Sequence, residues 1–423
     1  MSKFRPVFLS ATFLFFLCVQ IIPTYGDTIT DLKNKITERN TAIADLEAEI
    51  ADYQKQIETT GKEAQSLQST IKYINLEQKK LQSEIRLTEN KITAVNFRLE
   101  ELANAIDGKE DRIGESRSAL AQTIRNLADA ERRTLVETML SGATLSSVWR
   151  TVDDLERFER DVRVDLERTK GLKADLEDKE AETQVNRTKL VSLKADLADR
   201  NTLLSQNKKT KNSLLLTTKN KEAEYKKILA QRVAKRNAFE QELLQFESEL
   251  RFAIDPSRLP TAGSGVLRWP LDSIRITQKF GDTAFAKSGA YNGKGHNGVD
   301  FAASIGTKVK SALGGVVKGA GDTDAVCSGA SYGKWVLVEH ANGLSTLYAH
   351  FSLIKVSEGQ SVDTGELLGY SGDTGYSTGP HLHLTVYATQ GVKIMQRKSA
   401  VCGGAYTMPV ADLKAYLDPL KYL

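Results

Sequence analysis

The stretch DPSRLPTAGSG, residues 255–265, divides this chain into two unlike parts. Pro256 and Pro260, with Gly263, Gly265 and two serines, form a linker in which neither a helix nor a strand can continue. On its N-terminal side no proline occurs back to Pro23, and apolar residues keep a 3,4 spacing. On its C-terminal side glycine becomes frequent, and short runs such as WVLV (residues 335–338) and LHLTVY (residues 382–387) carry β-branched or alternating residues between turn signals.

The N-terminal pattern runs through Ile29, Leu32, Ile36, Ile43, Leu46, Ile50, Tyr53, Ile57, Leu67, Ile71, Ile74, Leu81, Ile85, Ile92, Val95, Leu99, Leu102, Ile106, Ile113, Leu120 and Leu127, with charged or amide residues between. So regular a stripe is the pattern of a coiled coil. It breaks at SGATLSSV (residues 141–148) and resumes as Leu155, Val162, Leu172, Leu176, Leu190, Leu193, Leu197 and Leu204, running on towards Leu250. Two arms of similar length flank the break. Folding back as an antiparallel hairpin lets each arm bury its stripe on the other, in a rod of roughly 150 Å from ~100 residues at 1.5 Å rise. The alternative is one long helix dimerising in parallel. Met139, Leu140, Leu145, Val148 and Trp149 make the break too apolar for an idle loop; they either pack a helical cap or form a docking patch.

The first residues place Lys3 and Arg5 before an apolar run from Val7 to Ile22, followed by Gly26. This predicts an export signal over residues 1–26, its apolar run shorter than the ~20 residues of a spanning helix. The protein is expected in the periplasm or elsewhere in the envelope outside the inner membrane. Cys18 lies inside the signal, which leaves Cys327 and Cys402 in a mature chain, free or paired in an oxidising compartment. Against 54 acidic residues the 58 basic ones are interleaved and give a net charge of +4, so no basic stripe calls for nucleic acid. The domain plan is then a signal (1–26), a coiled coil (27–254) broken near 141–149, a linker (255–265) and a small, mostly antiparallel β domain (266–423).

All five histidines fall between His296 and His383. In GHNGVD (residues 295–300) the glycines disfavour a helix, and in an extended segment His296 and Asp300, four apart, face the same way. In GPHLHL (residues 379–384), His381 and His383 share one strand face, and Leu382 and Leu384 take the other. Two neutral imidazoles and one carboxylate make a tetrahedral zinc set with its fourth position left for water, the arrangement of catalytic zinc. Four candidates for three positions leave one imidazole over, and His350 in YAHFS (residues 348–352) adds another. Such imidazoles can take a proton or face an oxyanion. His340, which follows a strand and opens a turn, is read as structural.

These residues make the C-terminal domain resemble the lysostaphin-type (LytM-like) zinc endopeptidases that cut peptide cross-links in peptidoglycan. The match spans about residues 266–423. The resemblance implies a single Zn2+ held by His296, Asp300 and His383, with His350 and His381 in catalysis. Further segments similar to the family are TQKFG (residues 277–281), SGDTG (371–375) and STGP (377–380). Two stretches, 322–331 and 393–415, look longer than a minimal domain needs, and each carries one mature cysteine; a disulfide between them would make sense. The coiled coil followed by this domain also resembles exported murein-hydrolase activators of cell division, whose zinc domain is degenerate and switches on an amidase. Here all five positions are occupied, which favours an enzyme over a non-catalytic activator. That second resemblance implies docking of the coiled coil to a membrane division complex, ABC-transporter-like, with peptidoglycan as the other partner. A third possibility is a structural spacer whose β domain binds the wall without metal.

Overall fold

The computed structural model describes residues 25–62, 66–131, 145–249, 262–263, 265–281, 295–377 and 379–423. The export signal up to residue 24, the apolar cluster at the break and residues 255–261 of the linker lie outside the described residues or their described side chains. No helix of the described residues is long and apolar enough to cross a membrane. The helices are α1 (Tyr25–Lys62), α2 (Leu67–Glu131), α3 (Leu145–Thr218) and α4 (Glu222–Glu249). Two compact units divide the chain: residues 1–41 with 92–191, and residues 42–91 with 192–423.

In the first unit, Arg98 of α2 meets Glu182 of α3 at 2.5 Å and Lys109 meets Asp175. Partner numbers fall as residue numbers rise, so the helices are antiparallel, and Val95 and Leu102 are buried between charged flanks. The same order holds in the second unit, where Asn75 takes a hydrogen bond from Lys211 (2.7 Å), Glu84 one from Arg200 (2.5 Å) and Asp196 one from Thr88 (3.3 Å). The stripe of α2 therefore finds its partner inside the same chain.

Neither arm is continuous. The unbroken register expected from Ile57 to Leu67 is interrupted: α1 ends at Lys62, just after Gly61, and α2 starts behind Ser66, whose hydroxyl accepts from the Ser69 N–H at 3.1 Å. Within the second unit α1 then runs back along α2, with Glu49 on Arg86 (3.2 Å) and Glu47 on Lys91 (3.0 Å). The second arm stops at Thr218, where Lys219 and Asn220 adopt left-handed backbone (φ 49° and 55°) and the Asn220 N–H closes on the Leu215 carbonyl (3.2 Å). Periodicity survives both turns because each helix keeps an apolar stripe, whichever way it runs.

The β part contains β1 (Ile276–Gln278), β2 (Val299–Ala302), β3 (Lys308–Lys310), β4 (Gly315–Asp322), β5 (Lys334–His340), β6 (Leu344–Ala349), β7 (Phe351–Ile354), β8 (Ser361–Val362), β9 (Leu367–Ser371), β10 (His381–Ala388), β11 (Val392–Lys398), β12 (Ala405–Ala411) and β13 (Tyr416–Leu417). The main sheet has the order β1-β2-β10-β6-β5-β4-β8, with β13 added on β10; β3-β9-β7 and β11-β12 form smaller sheets, and all pairs are antiparallel. One face of β10 sends Leu382, Leu384 and Val386 into a core with Val299, Phe301, Val336, Val338 and Tyr348. Tyr387, from the other face, joins a second core with Tyr332, Trp335, Met408 and, from α4, Phe239 and Leu243. Each such large side chain contributes roughly 1.5–3 kcal/mol through burial.

Helices and strands of the second unit also meet through Leu81, Leu203 and Tyr370. Around that contact Lys80 donates to Ser304, Gln54 accepts from Ser304 (2.8 Å), Lys355 pairs with Asp199 (2.8 Å), and the Tyr370 hydroxyl donates to Asp199 (3.0 Å). Buried ion pairs add little net stability over an apolar contact, but they fix which helical turn meets which loop. Cys327 and Cys402 are joined as a disulfide, tying the loop after β4 to the β11-β12 hairpin.

Candidate metal centre

Strand β2 delivers Asp300 and its neighbour β10 delivers His383, in direct register across the ladder. His296 lies outside β2. It forms an isolated bridge with Gly281, and the chain bends at Asn297 and Gly298 before the strand begins. The extended segment expected over residues 296–300 is thus bent. The reason lies at Gly298, where a Cβ would stand 2.5 Å from the Leu384 carbonyl oxygen and 2.7 Å from Cε1 of His383. The bend carries the backbone against β10, and only glycine fits that approach.

The bend brings three donor atoms together: His296 Nε2 is 3.1 Å from His383 Nδ1 and 3.3 Å from Asp300 Oδ1, and the last two are 2.8 Å apart. The set lies within 4.8 Å in all, and each residue is buried. A tetrahedral ion with bonds of ~2.0–2.1 Å needs ligand atoms about 3.3 Å apart, so the triangle and its His2Asp chemistry fit zinc. The outer ring nitrogens are engaged: His296 Nδ1 donates to the Lys279 carbonyl (3.0 Å) and His383 Nε2 to the Thr385 hydroxyl (2.9 Å). The Lys279 carbonyl fixes the His296 tautomer, with the Nε2 lone pair aimed at the common centre, and the Thr385 hydroxyl, by accepting from His383 Nε2, allows the same at Nδ1. Burial pushes the His383 imidazole below its usual range. For Asp300, burial pushes the carboxyl up, but the His381, His296 and His383 imidazoles outweigh it and hold it well below the usual carboxylate range. Asp300 is therefore ionised near neutral pH, and burial favours the uncharged form of His383.

His350 and His381 border this centre with ring centroids 4.6 Å apart. His350 Nδ1 donates to the Thr374 carbonyl at 2.7 Å and His381 Nδ1 to the Gly379 carbonyl at 2.7 Å, which leaves the Nε2 atom of each toward the site. His381 Nε2 is 3.7 Å from Asp300 Oδ1. Burial and the neighbouring His381 hold the His350 imidazole well below its ordinary value, so it is an uncharged base at neutral pH.

His340 stays apart, as its sequence context predicts. Its ring joins the Gly314 carbonyl (3.1 Å) to Thr346 (2.8 Å), a structural pair of hydrogen bonds inside the sheet. Sequence reasoning missed the residues behind the site. Tyr332 stacks on His383, Thr374 supports His350, and Asp324 accepts from the Gly375 N–H (2.7 Å). The segments at 277–281, 371–375 and 377–380 were legible as similar to the family, and they supply this layer through the carbonyls of Lys279, Thr374 and Gly379.

Residues 294–395 match the family model described as Peptidase family M23. They form an M23 peptidase domain. Over 88 residues the chain is 46% identical to the DD-carboxypeptidase/endopeptidase Mpg of Neisseria meningitidis serogroup B, covering 21% of this chain and 19% of that protein. It is 44% identical over 89 residues to the peptidoglycan DD-endopeptidase ShyA of Vibrio cholerae, again 21% and 19%. The chain spans about a fifth of the length of these curated relatives. The solved catalytic domain of lysostaphin from Staphylococcus simulans is 26% identical, covering 35% of this chain and 90% of that one, with a TM-score of 0.26. The M23 match ends at Met395 within β11, so Cys402, β12 and β13 lie beyond it.

Proposed function

We propose that this protein is an exported, zinc-dependent endopeptidase that hydrolyses peptide cross-links of peptidoglycan. The observation that carries the reading is the convergence of His296 Nε2, Asp300 Oδ1 and His383 Nδ1 within 4.8 Å, bordered by two imidazoles whose outer nitrogens are already engaged. Names of relatives that act on peptidoglycan support the substrate class.

Lewis acidity toward water and the scissile carbonyl is what zinc supplies when held by those three residues. His350, uncharged at neutral pH, takes the proton of the attacking water on Nε2. His381, already donating from Nδ1 to Gly379, would donate from Nε2 to the developing oxyanion as an imidazolium, and the proton taken from water passes to the departing amine. The Thr374 and Gly379 carbonyls hold both rings so that neither has to reorient during the reaction. The helices mount this domain at the wall, and the segment at 139–149 docks a membrane division partner.

The test is zinc content and muropeptide release from purified peptidoglycan, with mass analysis of the mature N-terminus of protein taken from its native envelope. One zinc per chain, cleavage, and a chain beginning near residue 27 are expected. Zinc without cleavage would shift the reading to an amidase activator.

A further inference from the structure

We propose that Tyr332 is a positioning residue for the metal centre, and that the buried tyrosines packed behind it, Tyr387 and Tyr416, tie that centre to Glu247 on α4. The inference rests on the M23 domain acting as a metalloenzyme, and it concerns residues that no part of that reading uses.

Tyr332 touches three arms of the site. Its carbonyl accepts from the His350 N–H at 3.0 Å. Its ring lies over that of His383, with centroids 6.0 Å apart and planes 30° apart. Its hydroxyl accepts from Nδ2 of Asn297 at 3.4 Å, and Asn297 is bonded in sequence to the ligand residue His296. No other residue meets a ligand ring, a ligand's neighbour and His350 in this way among the described contacts.

The backbone around Tyr332 is closely constrained. Ser331 (φ 45°) and Gly333 (φ 60°) both adopt left-handed conformations, and a Cβ on Gly333 would collide with Thr374 and Gly375. The Tyr376 N–H donates to the Ser331 carbonyl at 2.7 Å and the Lys334 N–H to the Thr374 hydroxyl at 3.0 Å. The disulfide from Cys327 anchors the same loop to the β11-β12 hairpin. A loop held at so many points can fix the rings that rest on it.

A group of buried tyrosines then leads away from the site. The Tyr332 and Tyr387 hydroxyls are 3.1 Å apart, and the Tyr387 and Tyr416 rings pack with centroids 4.9 Å apart. Tyr416 donates to Glu247 Oε1 at 2.8 Å, and the Ala411 N–H donates to the same oxygen at 3.2 Å. Glu247 is 2% exposed. Tyr416 gives its one proton to Glu247, while Tyr332 accepts from Asn297. Glu247 thus anchors the tyrosines packed behind His383, and it is carried by a helix rather than by the M23 domain.

The experiment compares the full chain with Tyr332→Phe, Glu247→Gln and the double variant, each loaded with Co2+ for its visible absorption and with Zn2+ for chelator competition. Tyr332→Phe keeps the ring and removes only the hydroxyl. Its expected effects are a shifted cobalt band, zinc affinity weakened about 10-fold, and kcat lowered at nearly unchanged KM. Glu247→Gln should move the same readouts by less, and the double variant should fall short of the product of the two. Asn297→Ala, which removes the hydrogen bond to the Tyr332 hydroxyl, should reproduce the cobalt shift if Tyr332→Phe folds poorly. An unchanged cobalt spectrum and zinc affinity in both Tyr332→Phe and Asn297→Ala overturns the positioning role. Multiplicative effects in the double variant overturn the link to Glu247. Wild-type protein that binds zinc but leaves peptidoglycan intact removes the endopeptidase reading alone, because spectrum and affinity do not depend on turnover.

Discussion

His350 donates from Nδ1 to the carbonyl oxygen of Thr374 at 2.7 Å, while its own backbone sits in the left-handed region at φ 65°. A non-glycine residue held there is strained, and the contact shows what the strain secures. It presents one face of the imidazole to the metal centre without making it a ligand.

His350→Ala should therefore lower cross-link hydrolysis by about 10²–10⁴-fold, the usual loss for a general base, while leaving zinc content near one per chain. His296→Ala and Asp300→Ala should lose zinc and activity together. Metal analysis beside muropeptide release separates the two classes. Equal loss of zinc in the His350 variant would show that His350 is a ligand.

Gly298→Ala tests the close approach at the bend. The added methyl would stand 2.7 Å from Cε1 and 2.8 Å from Nε2 of His383, with the Leu384 carbonyl behind it. Either the bend or the ring must move, and both carry ligands. Zinc affinity should fall by about 10–100-fold, the range seen when the groups orienting a ligand are disturbed. Chelator competition measures it, and wild-type affinity in this variant would mean that the bend relaxes without moving either donor.

Spacing alone made the candidate donors legible, while the choice of three among them came with the resemblance to lysostaphin-type endopeptidases. The two-residue period of β10 puts His381 and His383 on one face and sends Leu382 and Leu384 into the core, so the histidine reading needed no tertiary information. His340 was legible as structural for a related reason, since it ends a strand whose partners satisfy it. The helical turns were hidden because an apolar stripe records which residues are buried and not which way the chain runs; α1 and α2 carry the same period while lying antiparallel. Tyr332 was hidden because nothing in its neighbours in sequence signals that its ring will reach a histidine fifty-one positions away. Such contacts are properties of packing.

The disulfide between Cys327 and Cys402 closes 75 residues of separation and joins a loop under the site to the turn of the β11-β12 hairpin, beyond the M23 match. Cross-linking a span of that size stabilises by about 4 kcal/mol in the chain-entropy estimate. Cys402→Ser should lower the unfolding midpoint in denaturant, and a reductant should do the same to the wild type and nothing to the variant. A reductant-insensitive wild type would indicate that the thiols are not joined in solution.

Glu77 makes stability depend on pH. It is fully buried on α2 with Oε1 accepting from the Tyr73 hydroxyl at 3.0 Å, and its Oε2 has no hydrogen-bond partner among the described residues. Burial pushes its carboxyl up to about 7, against the Lys80 ammonium, the Tyr73 hydroxyl and the Ile305 N–H, which lower it, while Glu84 raises it further. The folded pKa lies above the ordinary value of 4.5, so the protonated form is the one the site favours. Its contribution is complete below pH 4.5 and is lost as pH rises through about 7. At 1.36 kcal/mol per unit the loss amounts to about 3 kcal/mol. Glu77→Gln, which keeps the shape and cannot ionise, should match the wild type in unfolding free energy near pH 4.5 and exceed it progressively toward pH 8. Urea unfolding of both proteins across that range decides the matter, because a constant difference would mean that Glu77 ionises in the fold as easily as in water.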